Sequence, residues 1–293
     1  NETDDQERTI VKPSRFSNFP FAWRDQPNYA WWSPLLEILA VAVLTFLFVG
    51  VSEATFAAAG FDTSEGSAAE WAGYLSVIVE IFAVLIAVRF VGRRPLSTVF
   101  ATGQVRQRKW FTPVLAYVLA FVIILVVFGA IGVYGYGSSW NHAFDGVEKD
   151  LPLVLAALLL AALAEEVVFR GVFFQAFTAW TKRPLVGAVI AGLAFVAMHP
   201  QAYTNPVAFA HYLVDALFYT ALVVAFDSIW FAVAVHAAWN TVGSVEGFGV
   251  PTSLTGTAAG WLALALAVIA IVAVFRGDAS RRPSVPPVQN QSR

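Results

Sequence analysis

Apolar runs long enough to cross a lipid bilayer set the first constraint on this chain. Eight stretches, roughly 33–51, 71–91, 111–133, 151–178, 184–203, 207–226, 229–245 and 256–275, are apolar with few charged residues. About 18 such residues cross a ~30 Å hydrocarbon core as a helix. Backbone exposed to lipid must satisfy its hydrogen bonds within the segment, which favours helices. The runs do not alternate polar and apolar residues as the strands of a membrane barrel do. Composition agrees, with 58% of the 293 residues hydrophobic and only 13% charged; a soluble domain is nearer a quarter charged. The expected fold is all-α, a polytopic membrane helical bundle of about eight transmembrane helices.

Charge placement orients the bundle. With the N-terminus inside, the inner segments hold Arg8, Lys12, Arg15 and Arg24, then Arg89, Arg93, Arg94, Arg106, Arg108 and Lys109, then Lys182 and Arg183, then Arg276, Arg281, Arg282 and Arg293. Of the 18 basic residues only Lys149 falls outside, and Arg170 lies within a span. That is the positive-inside pattern, and it predicts N-in/C-in. Trp31, Trp32 and Trp110 sit at span edges, as interfacial aromatics do. The expected organisation is a cytoplasmic N-terminal segment over 1–30, a transmembrane helical domain over 31–276 and a disordered, Pro- and Ser-rich cytoplasmic tail over 277–293. Short connections make the fifth, sixth and seventh helices antiparallel neighbours. The protein is expected in the cell membrane as a multi-pass protein. The absence of cysteine excludes disulfides and a thiol nucleophile, and no basic cluster suits nucleic acid.

Against this background the ionisable residues inside the spans need a reason, because each costs about 3 kcal/mol at mid-bilayer on insertion scales. They are Glu37, Glu80, Glu165, Glu166, Arg170, His199, His211, Asp215, Asp227, His236 and, with the last, Asn240. Glu166 and Arg170 are four apart, on one helical face and in the favoured order for an ion pair. Glu165 is rotated by about 100° from Glu166 and about 140° from Arg170. It is the carboxylate left without a local partner, which suits a group that takes and returns a proton. His236 and Asn240 also share a face, and two such donors can serve an oxyanion; an interhelical contact is the other reading. His199 stands near a helix end, just before Pro200. His211 and Asp215 are read as packing groups that line or tune the site, and Glu37 and Glu80 as single acids packed against the polar core. Counting along straight helices puts Glu165 toward the cytoplasm and His199 near the outer end of its span, a gap of roughly 10 Å.

"EEVVFRG" at 165–171, "FVAMH" at 195–199 and "HAAWN" at 236–240 resemble, in order, the EExxxR, FxxxH and HxxxN motifs of the CPBP family, the CAAX prenyl proteases and bacteriocin-processing enzymes also called Abi. The resemblance covers a motif core of about 150–245. It implies an intramembrane endopeptidase of the type II CAAX prenyl endopeptidase-like class. By motif position Glu165 activates the nucleophilic water and His199 holds that water or supports its deprotonation. His236 and Asn240 stabilise the oxyanion, and Glu166 and Arg170 complete the first motif. No GxSxG, intramembrane Asp pair or HExxH competes for the role.

A site without a required cofactor is expected, water being held by protein groups alone. The alternative is a divalent metal such as zinc on Glu165, His199 and His236. The expected partners are the lipid bilayer and a peptide or membrane-protein substrate, lipidated or not. Two other functions use the same residues: a proton- or ion-coupled transporter, and a non-catalytic membrane scaffold or sensor that retains the pocket. No internal repeat of the transporter kind is visible.

Overall fold

The computed structural model describes residues 32–61, 66–100, 123, 151–181, 183–203, 206–226, 228–244 and 268–273. The two terminal segments, the third apolar stretch apart from residue 123, most of the eighth and Asp227 lie outside them. Every regular element among the described residues is helical, and none is a strand.

Helix α1 spans Ser33–Ala58. It ends in a Schellman motif: Phe61 N–H reaches the Phe56 carbonyl at 3.0 Å and Gly60 N–H reaches that of Ala57 at 3.0 Å. Gly60 has φ +81, the left-handed conformation this cap requires. The Phe56 and Phe61 rings pack edge-on across the cap at 6.0 Å. Along its length α1 exposes Leu39, Val43, Phe46 and Leu47 while burying Glu37 completely. That inverts the pattern of a soluble helix and fits an apolar surround. Helix α2, Gly66–Ile86, packs against α1 and runs into a π-helical turn, Ala87–Val91.

Helix α3, Leu151–Glu166, continues as a π-helix over Val167–Phe174 and then as α4, Gln175–Thr181. The π segment is buried at Val167, Val168, Phe169, Arg170, Gly171, Val172 and Phe174. Such all-round burial marks a central element: it touches α2, the 3₁₀ turn Leu96–Phe100, and helices α5, Pro184–Ala197, and α6, Pro206–Phe226. Helix α7, Ile229–Ser244, packs on α3 and α6. α4 packs on α5 and α5 on α6, so the chain folds back on itself as the short connections suggest.

Among the described residues three helices are long and apolar enough to cross a membrane: Ser33–Ala58, Trp71–Val91 and Ala208–Phe226. Pro184–Ala197 and Ile229–Asn240 are apolar but shorter. The fifth apolar stretch, expected as one helix over 184–203, is interrupted. Its α-helix has 14 residues, about 21 Å at 1.5 Å per residue. Met198 and His199 then close a turn onto the Phe195 and Val196 carbonyls, and a 3₁₀ turn follows over Pro200–Tyr203. Pro200 explains the stop, since proline has no N–H and disfavours helical backbone in the residue before it.

Arg94 lies in the bend between the π-helical turn and the 3₁₀ turn, and what charge counting does not show is its burial there. It is 0% exposed and its Nη2 lies 2.6 Å from Glu37 Oε1, itself 0% exposed. Sequence position gives no sign of the pairing, because the two residues are 57 apart.

Candidate active site

Glu165 and Glu166 close α3 at its junction with the π segment and face different partners. Glu166 is fully buried, and its Oε1 accepts from Arg170 at 3.0 Å. Arg170 also donates to the Ala216 carbonyl of α6 at 2.8 Å. Its guanidinium lies over the Phe195 and Tyr219 rings, 5.0 and 5.3 Å from their centroids. The pair expected from the four-residue spacing is present, and it ties the π segment to α5 and α6.

Glu165 is 28% exposed. Its Oε2 is buried and has no hydrogen-bond partner among the described residues. His199 Nε2 lies 3.7 Å from that oxygen and His236 Nε2 3.8 Å. The gap of roughly 10 Å between Glu165 and His199 that straight-helix counting gives is therefore absent. The break after Ala197 places His199 at the tip of a shortened helix instead of at the far end of a full span.

Hydrogen bonds at the other ring nitrogen define both imidazoles. His199 Nδ1 is 2.7 Å from the Phe195 carbonyl, and His236 Nδ1 is 2.9 Å from Glu166 Oε1. A carbonyl and a carboxylate only accept, so each Nδ1 carries a proton. In the neutral rings each Nε2 then presents a lone pair toward Glu165 Oε2. Three acceptors converge, at separations beyond a direct hydrogen bond but short enough for one water to touch two of them. His236 is tied to the first motif through Glu166, while its Nε2 faces Glu165 Oε2 at 3.8 Å. Asn240 follows it by one turn of α7 and is half-buried.

Aromatic rings fix these groups. The Phe195 ring stacks on His199 at 4.3 Å and meets Phe169 edge-on at 5.1 Å. The phenylalanine of the second motif thus supplies a carbonyl to its histidine, a ring beneath it, and a face for Arg170. Tyr219 stacks on His236 at 4.6 Å, and Tyr212 lies against His199 at 5.1 Å. Sequence reading passed over both tyrosines. The available signal was their seven-residue spacing around Asp215, which puts all three near one face of α6. Asp215 is within electrostatic reach of His236 and Arg170, and Glu80 of α2 within reach of Glu165. Both acids thus belong to the polar cluster, while His211 is half-buried on the same helix as Asp215.

Among the described residues no group of three or more His, Cys, Asp or Glu side chains is arranged to hold a metal ion. Glu165, His199 and His236 approach one another without closing into such a set.

Inside a helical, apolar bundle the Glu165 carboxylate, its Oε2 buried, thus stands between two oriented imidazoles. A family model, type II CAAX prenyl endopeptidase Rce1-like, matches residues 147–242. The uncharacterized protein YyaK of Bacillus subtilis is 31% identical over 225 residues, covering 70% of this chain and 74% of its own length. The chain belongs to the Rce1-like type II CAAX prenyl endopeptidase family, whose members are membrane-embedded proteases. No solved structure matches it significantly.

Proposed function

We propose that this protein is an intramembrane endopeptidase that hydrolyses a peptide bond with a water activated by Glu165. One observation carries the reading: Glu165 Oε2 is buried without a hydrogen-bond partner, 3.7 and 3.8 Å from two imidazole nitrogens. A water between Glu165 and His199 donates one proton to the carboxylate and the other to the His199 lone pair, leaving an oxygen lone pair for attack. As the new C–O bond forms, the water proton passes to Glu165 and the scissile carbonyl becomes an oxyanion. Asn240 supplies an N–H to that oxyanion, and His236 a second when its ring is an imidazolium. Collapse breaks the C–N bond, and the proton on Glu165 passes to the leaving amine. Glu166 and Arg170 hold His236 and the π segment in register. Glu165, His199, His236 and Asn240 are thus proposed as catalytic, with Glu166 and Arg170 in support.

The eight-helix N-in/C-in arrangement, placement in the cell membrane, the transmembrane domain over 31–276 and its flanking cytoplasmic segments are proposed with this reading. So is a substrate ending in a prenylated C-a-a-X sequence, which rests on family membership. The test is release of the C-terminal tripeptide from a farnesylated C-a-a-X peptide by the purified protein in detergent. Cleavage by wild type and none by Glu165→Gln is expected. Proton flux in vesicles without peptide cleavage would favour a transporter instead.

A further inference from the structure

We propose that Arg94 and Glu37, outside all three motifs, form a positioning clamp that sets the rotation of the π segment and thereby the catalytic glutamate. The inference rests on the endopeptidase reading for its meaning, though not for its geometry. Arg94 Nε lies 3.0 and 3.1 Å from the two Glu37 oxygens, and its Nη2 2.6 Å from Oε1. Neutralising the guanidinium needs no more than this. Its remaining N–H groups go elsewhere. Nη2 donates to the Gly171 carbonyl at 2.9 Å, and Nη1 to Thr98 Oγ1 at 2.6 Å and Gln175 Oε1 at 3.4 Å. Gln175 in turn donates through Nε2 to the Thr98 carbonyl at 2.8 Å. One buried side chain thus joins α1, the turn after α2 and the helix that carries the first motif.

The backbone is shaped for this contact. Arg93 has φ 50, a left-handed conformation that residues other than glycine rarely adopt. Two glycines clear the approach. A Cβ on Gly92 would collide with the Glu37 carboxylate, and one on Gly171 would lie 2.6 Å from the Val99 carbonyl oxygen. Gly171 is the residue after Arg170, whose bonds to Glu166 and the Ala216 carbonyl orient the glutamate pair. A rotation of the π segment at Gly171 is therefore transmitted to Arg170 and on to Glu166 and His236. Only a planar, branched donor reaches a carboxylate and a carbonyl on separate helices at once.

The test uses the full-length protein in detergent and the farnesylated C-a-a-X peptide. Arg94→Lys keeps a cation opposite Glu37 but removes the fork. A displacement of about 1 Å at a catalytic group costs up to ~100-fold in rate. The expected result is a kcat lowered about tenfold or more per folded molecule, with KM within about twofold of wild type. Unchanged kcat per folded molecule would overturn the clamp and leave Arg94 as ordinary packing. If Arg94→Lys does not fold, Gly171→Ala makes the same test without altering charge, since it pushes the Val99 turn off the π segment. Glu165→Gln is measured in parallel to separate the two readings. If wild type shows no Glu165-dependent cleavage, the endopeptidase reading fails and the clamp is judged by amide hydrogen exchange over 167–175. Faster exchange there in the variant supports the clamp, and identical exchange refutes it.

Discussion

Replacing Arg170 with alanine separates stability from chemistry at the adjacent acids. Arg170 and Glu166 are 1% and 0% exposed and 3.0 Å apart. Removing one partner of a buried ion pair costs about 3–5 kcal/mol, mostly from the charge left behind. The bond to the Ala216 carbonyl at 2.8 Å is lost too, but it belongs to the same network and does not add in full. A total of about 4 kcal/mol follows. At ~2–4 °C per kcal/mol for a chain of this order of size, Arg170→Ala should lower Tm by roughly 10 °C in a detergent melt. Glu165→Gln is nearly isosteric at a group 28% exposed, whose buried oxygen has no hydrogen-bond partner among the described residues. Its stability should change by less than about 1 kcal/mol, although its peptidase activity should vanish. Equal destabilisation by the two variants would refute the division of labour between Glu165 and Glu166.

Gly187→Ala should destabilise the protein, because the new Cβ would lie 2.7 Å from the Thr178 backbone nitrogen, and overpacking of about 1–3 kcal/mol exceeds the ~1 kcal/mol gain in helix propensity. Gly192→Ala is the control: its Cβ would lie 3.3 Å from the flexible tip of Leu213 and at ordinary van der Waals distance from Ala216 and Leu217, so its Tm should match or exceed that of wild type. Activity of the purified protein should survive exhaustive chelation, since the proposed water is held by Glu165 and His199. Loss of activity with EDTA, restored by stoichiometric zinc, would replace that arrangement with a metal site and leave the endopeptidase reading intact.

Local spacing made part of the site legible. The Glu166–Arg170 pair follows from four residues on one helix, and helical rotation singled out Glu165 as the differently directed acid. Apolar periodicity and length gave helices throughout the described residues. What was not legible depends on contacts distant in sequence. The Glu37–Arg94 pair joins residues 57 apart, and an arginine at a span edge carries no mark of burial. The depth of His199 depends on where α5 stops. Pro200 signalled that stop, but treating 184–203 as one uniform helix concealed it. The tyrosines beneath the two histidines resemble any other aromatic residue in an apolar run until α6 is placed against α5 and α7.

Water activation by Glu165 is measured most directly by mass spectrometry of membrane peptides from cells with the wild-type protein or Glu165→Gln, with the purified protein then added back in H₂¹⁸O. A set of C-terminal fragments should be present only with wild type. On add-back, their partner fragments should carry one ¹⁸O at the newly formed carboxylate, because the attacking oxygen comes from water. Indistinguishable peptide profiles at equal amounts of folded protein would contradict the proposal that Glu165 activates water for peptide hydrolysis.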